Sequence, residues 1–179
     1  MRPNSPSSLI QNRVGAPEIM PKHHETRILP YTPEQIFDLV ADVKRYPEFL
    51  PWVTGARIRE QSDTRVIADL LVGFKMIRER YTSRVTLSRP DRVDVEYTEG
   101  PFRRLENHWK FSPHPEGCEV EFYLDFEFKS RILQKLIGAL FNEAVRKMVS
   151  AFEARATKLY GEAGRVADAP PGVSTEHPA

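Results

Sequence analysis

Between Cys118 and Phe128 apolar and polar residues alternate. Cys118, Val120, Phe122, Leu124, Phe126 and Phe128 take every second position, and Glu119, Glu121, Tyr123, Asp125 and Glu127 lie between them. A period of two predicts a strand with one buried face and one wet face. A few residues later the period lengthens. Leu133, Leu136, Ile137, Leu140, Phe141, Ala144, Met148, Phe152 and Leu159 follow the three-to-four spacing of a long amphipathic helix. A curved sheet packed on one long helix can enclose a cavity, so this stretch bears on function as well as on fold.

Further upstream the same reading predicts a first strand over His24–Leu29, then a helix opened by Thr32 as N-cap, with Pro33 at its first position and Glu34 favouring the dipole. Val43–Leu50 reads as a second short helix, kept brief by Pro47 and Pro51. From Val53 the period is two again. Strands are expected over Val53–Arg59, Thr64–Val72, Met76–Ser88, Arg92–Thr98 and Arg103–Ser112, with Gly73 breaking the second of these. Arg89-Pro90-Asp91 and Gly100-Pro101 are turn signals. The order is β-α-α-β-β-β-β-β-β-α. Short turns between successive strands imply an antiparallel meander, so the fold class is α+β: a curved sheet wrapped on a C-terminal helix.

Composition narrows this picture. A chain of 179 residues builds one domain with a sizeable core. Residues 21–161 should form it, flanked by disordered segments over 1–20 and 162–179; the first of these has Ser, Pro and Arg but no apolar run of a secretory signal, and Met20 is an alternative start. The formal net charge of +1 gives no global attraction to nucleic acid. The single cysteine, Cys118, falls on an apolar row and reads as a small buried hydrophobe. No apolar run reaches the length of a membrane-spanning helix, and no metal-ligand spacing, catalytic triad or phosphate-binding loop is evident.

Several local words carry a family resemblance. Leu39-Val-Ala-Asp-Val-Lys-Arg-Tyr-Pro-Glu-Phe-Leu-Pro-Trp52, Val72-Gly-Phe74, Gly100-Pro-Phe-Arg-Arg-Leu-Glu-Asn-His-Trp-Lys-Phe111 and Val120-Glu-Phe-Tyr-Leu-Asp-Phe-Glu-Phe-Lys-Ser130 resemble the coenzyme Q-binding family within the START and polyketide-cyclase-like superfamily, whose fold is the helix grip. Val53 stands where the resemblance leads one to expect cysteine. The same family includes proteins named as RatA-type ribosome association toxins. The resemblance implies a non-enzymatic protein that binds ubiquinone or a similar isoprenoid quinone in an internal cavity and supports respiration. It would work in the bacterial cytoplasm, peripheral at the inner membrane. Two other readings stay open: a toxin that binds the large ribosomal subunit and blocks subunit association, and a polyketide cyclase or aromatase. The oligomeric state is open as well.

The alternation then locates candidate cavity residues. The inward row of the third meander strand holds Ile77, Val85 and Leu87, and also Glu79, Tyr81 and Ser83. That of the fifth holds Leu105, Trp109 and Phe111, and also Arg103 and Asn107. Asn107 and Tyr81 can donate to a quinone carbonyl, and Glu79 can do so when protonated; Glu79 otherwise needs an arginine partner. Phe74, Phe102, Trp109, Phe122, Phe126, Leu136, Leu140 and Phe141 are the expected apolar walls. Phe49, Leu50 and Trp52 form a local hydrophobic plug, a lid over the cavity mouth or a membrane-touching edge; Lys129, Arg131 and Lys135 at the start of the long helix would join the last of these. Arg78, Arg80 and Arg84 share an outer face, with acidic neighbours that make it an ion-paired surface.

Overall fold

A computed structural model of the chain describes residues 22–161; the terminal segments expected to be disordered lie outside them. Seven strands form one antiparallel sheet in the order β1-β7-β6-β5-β4-β3-β2. They are β1 (Lys22–Leu29), β2 (Val53–Gln61), β3 (Arg65–Phe74), β4 (Ile77–Ser88), β5 (Arg92–Glu99), β6 (Phe102–His114) and β7 (Gly117–Phe128). Strands β2 to β7 follow one another as a meander, and β1 joins its end beside β7. Two helices flank the sheet in sequence, α1 (Pro33–Ala41) and α2 (Arg131–Tyr160).

Local chemistry explains the elements. Thr32 and Gln35 form a reciprocal capping box on α1, at 3.2 and 2.8 Å. Residues Val43–Glu48 form a 3-10 helix with Pro47 inside it; a proline has no N–H to extend an α-helical ladder, so the tighter turn ends quickly. Strand β3 does not break at Gly73 as expected. Gly73 donates its N–H to the Trp52 carbonyl at 2.7 Å and the strand runs on to Phe74. The reversal falls two residues later, where Lys75 takes the left-handed conformation (φ 52°). The helix α2, with 30 residues, is about 45 Å long. Its start is pinned to the end of β7, because Gln134 Oε1 accepts the Phe128 N–H at 2.8 Å.

The buried residues fall into two apolar clusters. One gathers α1, the 3-10 helix, the far ends of the strands and Phe152 of α2. The other is smaller: Phe102, Phe126, Phe128, Phe141 and Val145. Cys118 is fully buried, and burial pushes its thiol up to about 11, so it behaves as an inert core residue.

Sequence alternation puts Asp69 on the outer face, yet it is 4% exposed. Burial by itself would raise its pKa. Hydrogen bonds from Thr82, Arg59 and Arg80, at 2.7, 2.9 and 3.0 Å, outweigh that and hold it below the usual carboxylate range. A lowered folded-state pKa means the stabilisation is present at neutral pH and drains as pH falls through the carboxylate range. Asp69→Asn should therefore cost about 1–3 kcal/mol at pH 7, and urea midpoints of variant and wild type should converge in acid. A pH-independent difference would show that the loss is not electrostatic.

Candidate functional site

Between the inner face of the sheet and α2 lies a cavity of about 250 Å³. It separates the two apolar clusters and takes its walls from both. Leu50, Val53, Val85, Val93 and Trp109 come from the larger one, and Phe102, Phe126, Phe128, Phe141 and Val145 from the smaller. Protein interiors seldom leave voids larger than a water molecule, so the side chains do not fill this interior. An apolar cavity of about 150 Å³ already admits benzene, and drug-sized ligands take about 300–1,000 Å³. This one suits a substituted ring.

The expected wall residues divide. Phe74, Phe102, Trp109, Phe126 and Phe141 line the cavity, as do Leu50 and Trp52. Phe122, Leu136 and Leu140 do not. Phe122 lies beyond the inner end, its ring against Trp109 at 4.4 Å and against His23 at 5.8 Å. On α2 the cavity faces Ile137, Phe141, Ala144, Val145, Met148 and Phe152. Leu136 and Leu140 each precede a facing residue, and one position is about 100° around a helix. Phe49 packs on Phe152 and Tyr46 and lies under the Arg155 guanidinium. Leu50 is buried, so neither forms a free edge. Trp52 meets Phe74 edge to face at 6.0 Å, closing the side near the middle of α2.

Of the polar candidates, Glu79, Tyr81, Ser83 and Asn107 all line the cavity. The β3–β4 ladder runs without a shift from Arg65/Thr86 to Phe74/Ile77, so Glu79, Tyr81 and Ser83 share one inward row. Asn107 is largely engaged: its Oδ1 accepts from Trp109 Nε1 at 2.8 Å, and its amide reaches the Tyr123 carbonyl at 3.4 Å. Its remaining N–H capacity is all it can offer a ligand. Glu79 has no ion pair or side-chain hydrogen bond among the described residues, so the expected arginine partner is not there. Tyr81 packs edge to face on Phe102 at 5.4 Å, and burial pushes its hydroxyl up to about 12, which keeps it a donor. Ser83 is 1% exposed and its Oγ has no partner.

One end of the cavity leads outward. Phe74 and Ile77 flank Lys75 and Met76 in the β3–β4 turn, and Met76 is 92% exposed. Beyond Ile137, nearer the start of α2, Ile132 is 80% exposed. Lys129, Arg131 and Lys135 are also exposed there. Lys129 is tied to the β5–β6 turn, donating to the Gly100 carbonyl at 3.0 Å. Sequence reading left out Met76, which the strand pattern places at an element end where burial is not specified. On the convex face Arg59 and Arg80 serve Asp69, and Arg84 reaches Glu96 at 3.6 Å. Arg78 bonds only carbonyls. The described residues contain no cluster able to hold a metal, and no helix among them is long and apolar enough to cross a membrane.

The profile of the family described as "Polyketide cyclase / dehydrase and lipid transport" matches residues 29–153. This chain belongs to that family. A protein named "Ribosome association toxin RatA" from Rickettsia prowazekii is 44% identical over 138 residues, covering 75% of this chain and 94% of that one. A protein of Xenopus laevis named "Coenzyme Q-binding protein COQ10 homolog B, mitochondrial" is 36% identical over 172 residues, 89% of this chain and 70% of that one. The solution structure of an 18 kDa protein from Caulobacter crescentus matches at a TM-score of 0.66 with 41% identity, covering 79% of this chain and 99% of that one. The family thus carries the helix-grip architecture found here. The names of these two relatives are those of a toxin and of a binding protein, not of enzymes.

Proposed function

We propose that this family member binds the ring of ubiquinone or a related isoprenoid quinone in its cavity, without catalysis, and carries the ligand between the inner membrane and the proteins that use it. The supporting observation is an unfilled apolar cavity lined by two hydroxyls of one strand, Tyr81 and Ser83, that make no side-chain hydrogen bond among the described residues. Buried polar groups normally find partners within the fold. A ligand with oxygens on an apolar ring supplies them. The name of the Xenopus relative agrees with this reading. Exposed Met76 follows Lys75 in the β3–β4 turn, and exposed Ile132 lies with Lys129, Arg131 and Lys135 at the start of α2. Apolar residues flanked by cations suit an anionic bilayer surface.

Vesicles test both halves of the reading. Lipid-free protein incubated with ubiquinone-loaded phosphatidylglycerol vesicles should be recovered carrying quinone, and should load more slowly from phosphatidylcholine. Protein that takes quinone from neither, and carries none when purified from cells, would overturn it. The name of the Rickettsia relative supports a second reading, contact with the large ribosomal subunit. On the convex face Arg57 and Arg78 have no acidic partner among the described residues. Reversing both charges should abolish cosedimentation with that subunit; unchanged cosedimentation would remove this face from the reading.

A further inference from the structure

Building on the ligand-binding reading, we propose that Ser83 is the inner hydrogen-bond anchor of the cavity and that the ligand binds head first. Its oxygenated ring then lies against Ser83 and Tyr81, and its isoprenoid tail leaves between the β3–β4 turn and α2.

Three observations carry this. The first is the state of Ser83. Its hydroxyl lines the cavity, is shielded from solvent and has no hydrogen-bond partner. Its neighbours across the sheet are Ala68 on β3 and Tyr97 on β5. Ala68 has no polar side chain, and the Tyr97 hydroxyl is spent on the Gly100 carbonyl at 2.5 Å. Asn107 Oδ1 is held by Trp109. A hydroxyl stranded in an apolar wall is costly unless something else accepts its proton.

The second observation is depth. Along the inward row of β4, Ile77 is 5% exposed, Glu79 and Tyr81 are half-buried, and Ser83 and Val85 are each 1% exposed; Met76, just before the strand, is 92% exposed. Ser83 is therefore the most deeply buried polar group of the row, with only apolar Val85 beyond it on β4 lining the cavity. Alternate residues of a strand stand about 7 Å apart, so Tyr81 and Ser83 bracket one ring and can donate to oxygens at two of its positions. Glu79, nearer the outer end, has only acceptors as a carboxylate, and in that form repels carbonyl and methoxy oxygens. A ligand bound tail first would put hydrocarbon on the Ser83 hydroxyl and its oxygens beside Glu79.

The third observation is size. A volume of about 250 Å³ accepts a substituted ring but not a long polyisoprenoid chain as well. The tail must leave, and the exposed Met76 between the wall residues Phe74 and Ile77 marks the outer end.

The probes are a short-tailed ubiquinone and a polyprenyl hydrocarbon without a ring. Ser83→Ala should weaken the quinone about tenfold, the worth of one hydrogen bond, and leave the hydrocarbon unchanged. Ser83→Thr, which keeps the hydroxyl, should bind the quinone as the wild type does. The ligand-free Ser83→Ala protein should melt no lower than wild type, since it loses a hydroxyl without a partner. Equal quinone affinity in Ser83→Ala, or an equal loss for both probes, would overturn the anchor. A quinone with a nitroxide at the tail end should broaden the Met76 methyl signal; broadening of the Val93 methyls instead would overturn the orientation. Wild-type protein that binds neither probe would overturn the ligand reading itself, and this inference with it.

Discussion

Gly117→Ala should cost about 4 kcal/mol and lower the melting temperature by about 10 °C or more. Gly117 starts β7 with φ at 136°, a conformation that L side chains rarely adopt. A β-carbon there would stand 2.1 Å from the Leu29 carbonyl oxygen, and 2.9 Å from both the Pro30 α-carbon and the Tyr31 nitrogen. All three are backbone atoms at the end of β1, and no rotamer change relieves them. The strand would have to move, and with it the β1–β7 ladder that runs from Lys22/Asp125 to Leu29/Cys118. Gly138 supplies the contrast. It lies in α2, and a β-carbon added there would meet nothing within 4 Å, so Gly138→Ala should stabilise by up to about 1 kcal/mol. Thermal unfolding of the two variants measures the difference. A Gly117→Ala protein as stable as wild type would mean that β1 does not lie against the start of β7 as described.

The elements were largely legible because two periods, one of two and one of three to four, cover most of the domain. Cys118 to Phe128 shows this best: every apolar member of that row is inward. Turn chemistry was legible too, except at Gly73. Glycine there reads as a break, but a glycine can continue an edge-proximal strand when its bare α-carbon accommodates a neighbour, here the Arg78 side chain, whose Cδ would lie 3.2 Å from an added β-carbon. What periodicity does not carry is depth. Phe122 and Phe126 look identical in the pattern, yet one plugs the space behind Trp109 and the other faces the cavity. Leu136 and Ile137 are adjacent, and only the phase of α2 against the sheet separates a 38% exposed leucine from a wall residue.

The polar site was half legible. An inward row with Glu79, Tyr81 and Ser83 can be read from alternation alone. Which of them is free cannot, because that depends on partners from other strands. Asn107 loses its acceptor to Trp109, two residues away on the same face, while Ser83, the least conspicuous of the four, is left without any partner. Asp69 and Asp125 were hidden for the opposite reason. Both sit on outward rows, where acids are ordinarily solvated. Long arginine side chains fold over them, Arg59 and Arg80 on the first and Arg104 on the second, and that covering is a tertiary event.

Ala144→Trp should abolish ligand uptake, with affinity falling at least about a hundredfold, or ~2.7 kcal/mol. Ala144 is on α2 and lines the cavity opposite the sheet. An indole there occupies space that the ring of a ligand would need. Because about 250 Å³ is open, the larger side chain enters without the strain of overpacking, and stability should stay within about 1 kcal/mol of wild type. That pairing of outcomes is what gives the variant its weight. A filled interior would respond to the same substitution with a loss of about 1–3 kcal/mol, whatever happened to binding. Ala139→Trp, on the exposed side of the same helix, should change neither quantity. Titration with short-tailed ubiquinone and urea unfolding of both variants therefore separate a cavity built for a ligand from a core that merely packs loosely: only the first loses binding while keeping its stability.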